Sequence, residues 1–181
     1  MRPSKEQYYL NIAREIAQRS TCFRAKGGAI IVKEDVIVAT GYIGAPRKTR
    51  DCLDRGECLR DKLKIPHGQR YELCRSVHAE MNCIINAARA GTSLLGGDIY
   101  LWTQDREGRP IETFPCFLCK KMIINSGLQR FIGSTADGRY RIFDIVEWVN
   151  GWQREDMIDD KHQYGGELNS RDGFLEKPSG F

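Results

Sequence analysis

Hydrophobic and polar positions follow two periods along this chain. Between residues 5 and 18, Tyr9, Ile12, Ala13, Ile16 and Ala17 recur at helical spacing among Lys, Glu and Arg, which predicts an amphipathic helix. Ala29 to Val32 and Val36 to Ala39 are short β-branched runs around the polar turn Lys33-Glu34-Asp35, an antiparallel hairpin. From Gly44 to about Leu73 the periodicity vanishes under Pro46, Gly56, Pro66 and Gly68. It returns from Val77 to Ala90 as a helix through Ala79, Cys83, Ile84, Ala87 and Ala88, closed by Gly91. Ile99 to Trp102 reads as a strand and Asp105 to Thr113 as a polar insert. Pro115 opens a helix through Met122, Ile123 and Ile124, and Phe131-Ile132 is a short strand. Ile142 to Trp152 reads as one amphipathic segment packing on the sheet.

This alternation predicts an α/β fold, a three-layer α/β/α domain with a mixed central sheet. Residues 1–155 form that domain, with a cysteine-rich loop at 44–74, and 156–181 form a polar C-terminal tail expected to be partly mobile. A patternless loop of that length inside a compact domain needs an external reason for order.

Composition narrows the class. The 181 residues are 41% hydrophobic and 29% charged, which suits a globular chain and excludes collagen, coiled coil and wholesale disorder. The apolar runs are strand-length, so no membrane span is expected, and the N-terminus lacks the apolar stretch of a secretory signal. A cytoplasmic location is the expectation. The net charge of +4, from 28 Lys and Arg against 24 Asp and Glu, is too small to imply nucleic-acid binding, and the aromatics are not interleaved with a basic run. It suits a small anionic substrate equally well.

Seven cysteines are the unusual feature: Cys22, Cys52, Cys58, Cys74, Cys83, Cys116 and Cys119. An odd count in a reducing compartment argues against a disulfide framework and moves metal ligation or catalysis forward. Cys83 lies on the apolar side of a predicted helix, where a buried thiol is the ordinary reading.

Two motifs each open a predicted helix: His78-Ala79-Glu80 and Pro115-Cys116-Phe117-Leu118-Cys119. A lone C-x-x-C is often a structural zinc site or a redox pair, and a lone His is usually structural. Together, in this order, they match the H-x-E and P-C-x-x-C signature of zinc deaminases. Three protein ligands, His78, Cys116 and Cys119, with an open fourth position describe a catalytic zinc centre, where a water's pKa falls to roughly 7. A helix N-terminus favours the thiolate forms of both cysteines. Glu80 can reach that water without ligating the metal, take its proton and deliver protons to the ring nitrogen and the departing amine. A purely structural zinc site would have no use for Glu80.

These motifs, with Ser20-Thr21-Cys22, Gly28 to Val32, Gly41-Tyr42-Ile43-Gly44-Ala45-Pro46 and Met81-Asn82-Cys83-Ile84, resemble the deoxycytidylate (dCMP) deaminases of the cytidine deaminase superfamily over about residues 5 to 140. Asn82 after His-Ala-Glu is similar to the dCMP branch. The resemblance implies a cytidine deaminase-like fold and hydrolysis of dCMP to dUMP and ammonia, feeding thymidylate synthesis. It implies that the Ala79 N–H binds the pyrimidine carbonyl and that the backbone around Pro115 receives the amine. A substrate phosphate needs a cation; Arg24, Lys26 and Arg75 are candidates by position, with ordinary surface charge as the competing reading. Where a relative carries a substrate-contacting Tyr, this chain has Asp137, and Tyr140 follows three residues later. Two further departures are Ile43 in place of the family's Asn and the 105–113 insert.

Some relatives carry a second zinc whose ligands include cysteines matching Cys22 and Cys52. Their glutamate ligand two residues before the catalytic His is Ser76 here, a poor ligand, and Cys58 and Cys74 are available substitutes. A structural zinc on Cys22, Cys52, Cys58 and Cys74 would order the long loop. A site using His67, or free thiols, are the other two readings. Relatives are commonly hexamers, so a homo-oligomer is expected. The competing functions are deamination of another cytosine nucleotide, a nucleoside or single-stranded nucleic acid, and a non-catalytic, zinc-stabilised DNA-binding protein of the competence type.

Overall fold

The computed structural model describes residues 2–66 and 68–154; His67 and the tail assigned to 156–181 lie outside the described residues. The chain runs α1 (Lys5–Ala17), β1 (Ala25–Lys33), β2 (Val36–Tyr42), α2 (Cys52–Arg55), α3 (Leu59–Lys62), a 3-10 turn (Tyr71–Leu73), α4 (Ala79–Arg89), β3 (Asp98–Asp105), α5 (Phe117–Asn125), β4 (Arg130–Ser134), β5 (Tyr140–Asp144) and α6 (Ile145–Arg154). The strands form one mixed sheet in the order β2-β1-β3-β4-β5. Only β3 and β4 are parallel, with Ile99 opposite Phe131, and α5 is the crossover between them. Among the described residues no helix is long and apolar enough to cross a membrane.

Both sheet faces are covered, and this explains why the central strands read as unbroken apolar runs. Ala29, Ile31, Ile99, Leu101 and Phe131 face a cluster with Ala79, Cys83 and Ala87 of α4 and Ile123 of α5. The alternate residues Ile30, Val32, Tyr100, Trp102 and Ile132 pack on Tyr9, Leu10, Ala13 and Ala17 of α1. Complete burial of a side chain such as Phe131 or Ile31 is worth about 1.5–3 kcal/mol each.

Two glycines allow the helices this close. A Cβ on Gly28 would lie 2.1 Å from Ala13 O, and one on Gly41 would lie 2.4 Å from Ala79 O. The β1–β2 hairpin turns through Glu34 (φ 51°) and Asp35 (φ 61°), both left-handed. Tyr9 Oη donates to Asp35 O at 3.0 Å, tying the turn to α1.

The amphipathic segment expected at 142–152 divides into two elements: Tyr140–Asp144 is an edge strand paired antiparallel with β4, Ile132 opposite Ile142, and a helix begins at Ile145. Hydrophobic alternation through Ile142 and Phe143 satisfies both periods over so few residues, and sheet pairing decides between them. The insert 105–113 is a tight turn closed by Asp105. Its N–H donates to Arg109 O at 2.9 Å, while its carboxylate accepts from Glu107 N at 3.0 Å and Arg109 N at 2.9 Å.

The loop at 44–74 is ordered by a local helix cap and by ion pairs, two of them reaching in from well outside it. Asp51 and Asp54 cap α2 reciprocally, each side chain accepting from the other's main-chain N–H. Arg24 binds Asp61 at 2.7 Å and donates to Ile65 O at 2.8 Å; Arg106 of the insert reaches the same carboxylate at 3.3 Å. Arg75 grips Glu57 by its carboxylate and its carbonyl, both at 2.9 Å.

Candidate functional site

Two helices on the same face of the sheet begin with residues that are poor caps. His78 is the N-cap of α4 and Cys116 the N-cap of α5, and neither makes a side-chain capping bond. Ser, Thr, Asp or Asn would serve a helix start better by about 1 kcal/mol. A local rule broken twice, at two ends that meet, is the mark of a functional site.

They do meet. His78 Nδ1 lies 3.4 Å from Cys116 Sγ and 3.4 Å from Cys119 Sγ. Among the described residues these three form the group whose ligand atoms gather within 4.8 Å of one another. One imidazole nitrogen and two thiolates at this spacing fit a tetrahedral zinc with one open position. All three expected ligands are therefore brought together, across 38 and 41 residues of sequence.

The electrostatics of this group favour one thiolate, at Cys116. A hydrogen bond from Cys119 holds the Cys116 thiol down at about 4, with His78 adding to the effect. Burial pushes the Cys119 thiol up. Burial also works to lower His78, but its contact with Cys116 outweighs this and leaves it raised. Glu80, 4% exposed in the first turn of α4, is pushed up by burial and shares a hydrogen bond with Cys119. Its carboxyl is thus next to the ligand group without belonging to it.

Asn82 fastens the start of α4 to the end of β2. Its Nδ2 donates to Tyr42 O at 2.8 Å, and Gly44 and Val77 bridge main chain to main chain. Ile43 packs against the cluster shared with Ala79 and Cys83. The residue that removes a polar side chain from this stretch joins the core.

Expected substrate contacts fare differently. Ala79 and Pro115 flank the ligands at the two helix starts and are buried. Arg24 is engaged by Asp61 and Ile65 O, and Arg75 by Glu57. Lys26 Nζ approaches Gln18 Oε1 at 3.4 Å, and Tyr140 packs on the α1 cluster on the opposite face of the sheet. The structure gives these cations and Tyr140 partners of their own, because each sits where a nearer acceptor or apolar face claims it.

The cysteines of the loop are spread over its short elements. Cys22 precedes β1, Cys52 opens α2, Cys58 caps α3 and Cys74 follows the 3-10 turn. Burial pushes the Cys22 and Cys52 thiols up; Cys74 and Cys58 add to the effect on Cys22, and Cys22 and Cys58 to that on Cys52. Cys22 and Cys52 therefore feel neighbouring thiols, though among the described residues these four sulfurs do not gather within 4.8 Å of one another. Cys83 is fully buried in the core beneath α4, as its position implies.

Sequence reasoning did not single out Arg60 and Tyr71. The Tyr71 ring stands on the His78 ring with centroids 4.6 Å apart and planes at 83°, and the Arg60 guanidinium lies over the Tyr71 ring at 4.6 Å. Both residues fall in the patternless loop, where no periodicity or motif marks them.

Comparison with known proteins agrees with this centre. The cytidine and deoxycytidylate deaminase zinc-binding region matches residues 3–135. A deoxycytidylate deaminase of Mycobacterium phage D29 is 34% identical over 137 residues, 72% of this chain and 94% of that protein. One from Schizosaccharomyces pombe is 29% identical over 135 residues, 75% of this chain but 38% of that protein. The chain thus spans nearly all of the phage relative and well under half of the yeast one. The crystal structure of the dCMP deaminase of cyanophage S-TIM5 in apo form aligns with TM-score 0.54 and 26% identity, over 75% of this chain and 86% of that one. With its ligand trio assembled and more than half its length matched, the chain belongs to the cytidine and deoxycytidylate deaminase family.

Proposed function

We propose that this protein is a zinc-dependent hydrolase that converts dCMP to dUMP and ammonia. The observation that carries the reading is the convergence of His78, Cys116 and Cys119 with the carboxyl of Glu80 buried beside them. The relatives named deoxycytidylate deaminase, and Asn82 after the His-Ala-Glu motif, point to the deoxycytidylate among cytosine compounds.

Zinc held by His78, Cys116 and Cys119 would supply a water of lowered pKa as nucleophile. The protein's own part is positioning and proton transfer. Glu80 takes a proton as the water oxygen bonds to C4 of the pyrimidine, gives it to N3, and passes the next to the amine as the C4–N bond breaks. Burial, which raises the Glu80 carboxyl, suits a group that must hold a proton between those steps. The Ala79 N–H, one of the donors that the first turn of α4 leaves without an intrahelical acceptor, would bind the pyrimidine carbonyl. The backbone at Pro115 would receive the leaving amine. Arg24, Lys26 and Tyr140 would have to leave their present partners to touch the nucleotide.

A second, structural zinc on Cys22, Cys52, Cys58 and Cys74 belongs to the same reading. Its support is the placement of these thiols at the corners of a segment with little core of its own, with Cys58 beside both Cys22 and Cys52 and Cys74 beside Cys22. Self-association, a hexamer by the family resemblance, finds apolar surface in exposed Tyr42, Ile85 and Val146.

The deciding experiment is ammonia release from a panel of dCMP, CMP, deoxycytidine and a single-stranded DNA oligonucleotide. Turnover of dCMP, abolished in Glu80→Ala with zinc retained, is expected. No turnover across the panel, with binding of the oligonucleotide, would overturn the enzyme reading.

A further inference from the structure

The segment between Cys58 and Cys74 does more than close a loop. It lays the Tyr71 ring on the imidazole of His78, edge to face. Such contacts are directional, because the ring quadrupoles favour a particular interplanar angle. Cys116 and Cys119 both meet His78 at a single atom, Nδ1. Two contacts at one ring atom fix a point and leave the plane of the imidazole free to rock; the Tyr71 contact acts on that plane.

Tyr71 is held in turn. Arg60 is 4% exposed, donates to Pro66 O at 2.8 Å and to Gln69 O, and covers the Tyr71 ring with its guanidinium. Its Nε is buried without a hydrogen-bond partner. Burying a guanidinium with one N–H unsatisfied is unfavourable for folding. A local conflict of this kind marks a residue kept for placement of something else, and what Arg60 places is Tyr71.

We propose that Tyr71 is a positioning residue of the deaminase centre: it sets the plane of the His78 imidazole, and Arg60 holds Tyr71 in place. The kinetic part rests on the deaminase reading above. Hydrogen-bonding partners that orient a metal-bound histidine are worth about 10- to 100-fold in metal affinity or activity, and that range sets the scale for a ring contact with the same task.

The test uses the zinc-loaded full chain labelled in its three histidines, His67, His78 and His162. The variants His67→Gln and His162→Gln assign the His78 imidazole resonances by elimination. Tyr71→Phe keeps the ring and is expected to keep sharp His78 resonances and wild-type kcat. Tyr71→Leu is expected to broaden or split those resonances and to lower kcat about 10- to 100-fold, with KM little changed and zinc retained. Arg60→Met, which leaves the tyrosine intact, is expected to do the same to a smaller degree and keeps the question decidable should Tyr71→Leu not fold. Sharp, single His78 resonances in both Tyr71→Leu and Arg60→Met would overturn the proposal. A wild-type protein inactive on every cytosine compound would instead sink the functional reading, and the resonances would still decide the role of Tyr71.

Discussion

A Cβ on Gly41 would lie 2.3 Å from the main-chain nitrogen of Cys83, so β2 and α4 meet backbone to backbone. No side chain stands between them, and Ala79 and Glu80 are positioned by that approach. Gly41→Ala must therefore push α4 off the sheet at its catalytic end. The expected cost is about 2–3 kcal/mol, the upper range for overpacking, since the obstructing atoms are main chain. Gly151 of α6 has nothing within 4 Å of its would-be Cβ, and Gly151→Ala is expected to stabilise by about 0.5–1 kcal/mol. Urea unfolding of the two variants beside wild type checks the opposite signs.

What could be read in the sequence was what repeats or what matches. Helices α1 and α4 and the central strands follow their periods because each buries a face, and the metal trio follows from two motifs. The ends of the strands escaped, because β1 and β3 continue through Lys26 and Gln104 on ladder hydrogen bonds that carry no hydrophobic signal. Strand β5 escaped because five residues satisfy two periods equally. The partners of Arg24 could not be read at all: Asp61 is 37 residues away, in a loop without pattern. Tyr71 was hidden for the same reason. Its role depends on where the loop folds back, which periodicity does not record.

The pairing of Asp61 with Arg24 and Arg106 predicts an acid-sensitive contribution to stability. Burial works to raise the Asp61 carboxyl, but hydrogen bonds and charge from Arg24, then Arg106, hold it below its ordinary value. A carboxylate depressed by folding stabilises above its unfolded pKa, about 3.9, and the contribution is lost as pH falls through the folded value. Wild type is expected to exceed Asp61→Asn in stability near pH 7, by less than about 1 kcal/mol given the solvent around the pair. The difference should shrink below about pH 4 and in high salt. Urea midpoints of both proteins across pH test the sign. An unchanged difference at pH 3 would remove the ion pair from the account.

Zinc stoichiometry separates the three classes of cysteine. On the proposed two-zinc reading, Cys116→Ala removes a member of the assembled trio and is expected to lose the catalytic zinc while the proposed loop zinc stays. Cys58→Ala is expected to lose the loop zinc, loosen the 44–74 segment to proteolysis and leave the catalytic metal in place. Cys83→Ala, deep in the core, should change neither. Native mass measurement after desalting reads all three, and a wild-type protein carrying a single zinc per chain would show the loop thiols to be free.

Lys120 follows the ligand Cys119 and is 2% exposed, with its ammonium 4.6 Å from the Trp148 ring. Trp148 also packs at a tilt against Phe131 at 5.8 Å and Phe143 at 6.0 Å, so one indole links α6, two strands of the sheet and the turn of α5 that carries Cys119. Trp148→Leu opens space beside Phe131 and removes the nearer of the two indole rings that face the Lys120 ammonium. A loss of about 3 kcal/mol is expected, most of it from the cavity, because the Trp152 ring still lies 5.5 Å from the Lys120 ammonium. Because Lys120 and Cys119 share a helical turn, zinc should also leave the catalytic centre faster, measured as release to a chromophoric chelator. Trp148→Phe keeps a ring under the ammonium and should restore most of both quantities. If Trp148→Leu destabilises the fold but releases zinc at the wild-type rate, then α6 supports the sheet alone and the Lys120 contact does not reach the metal centre.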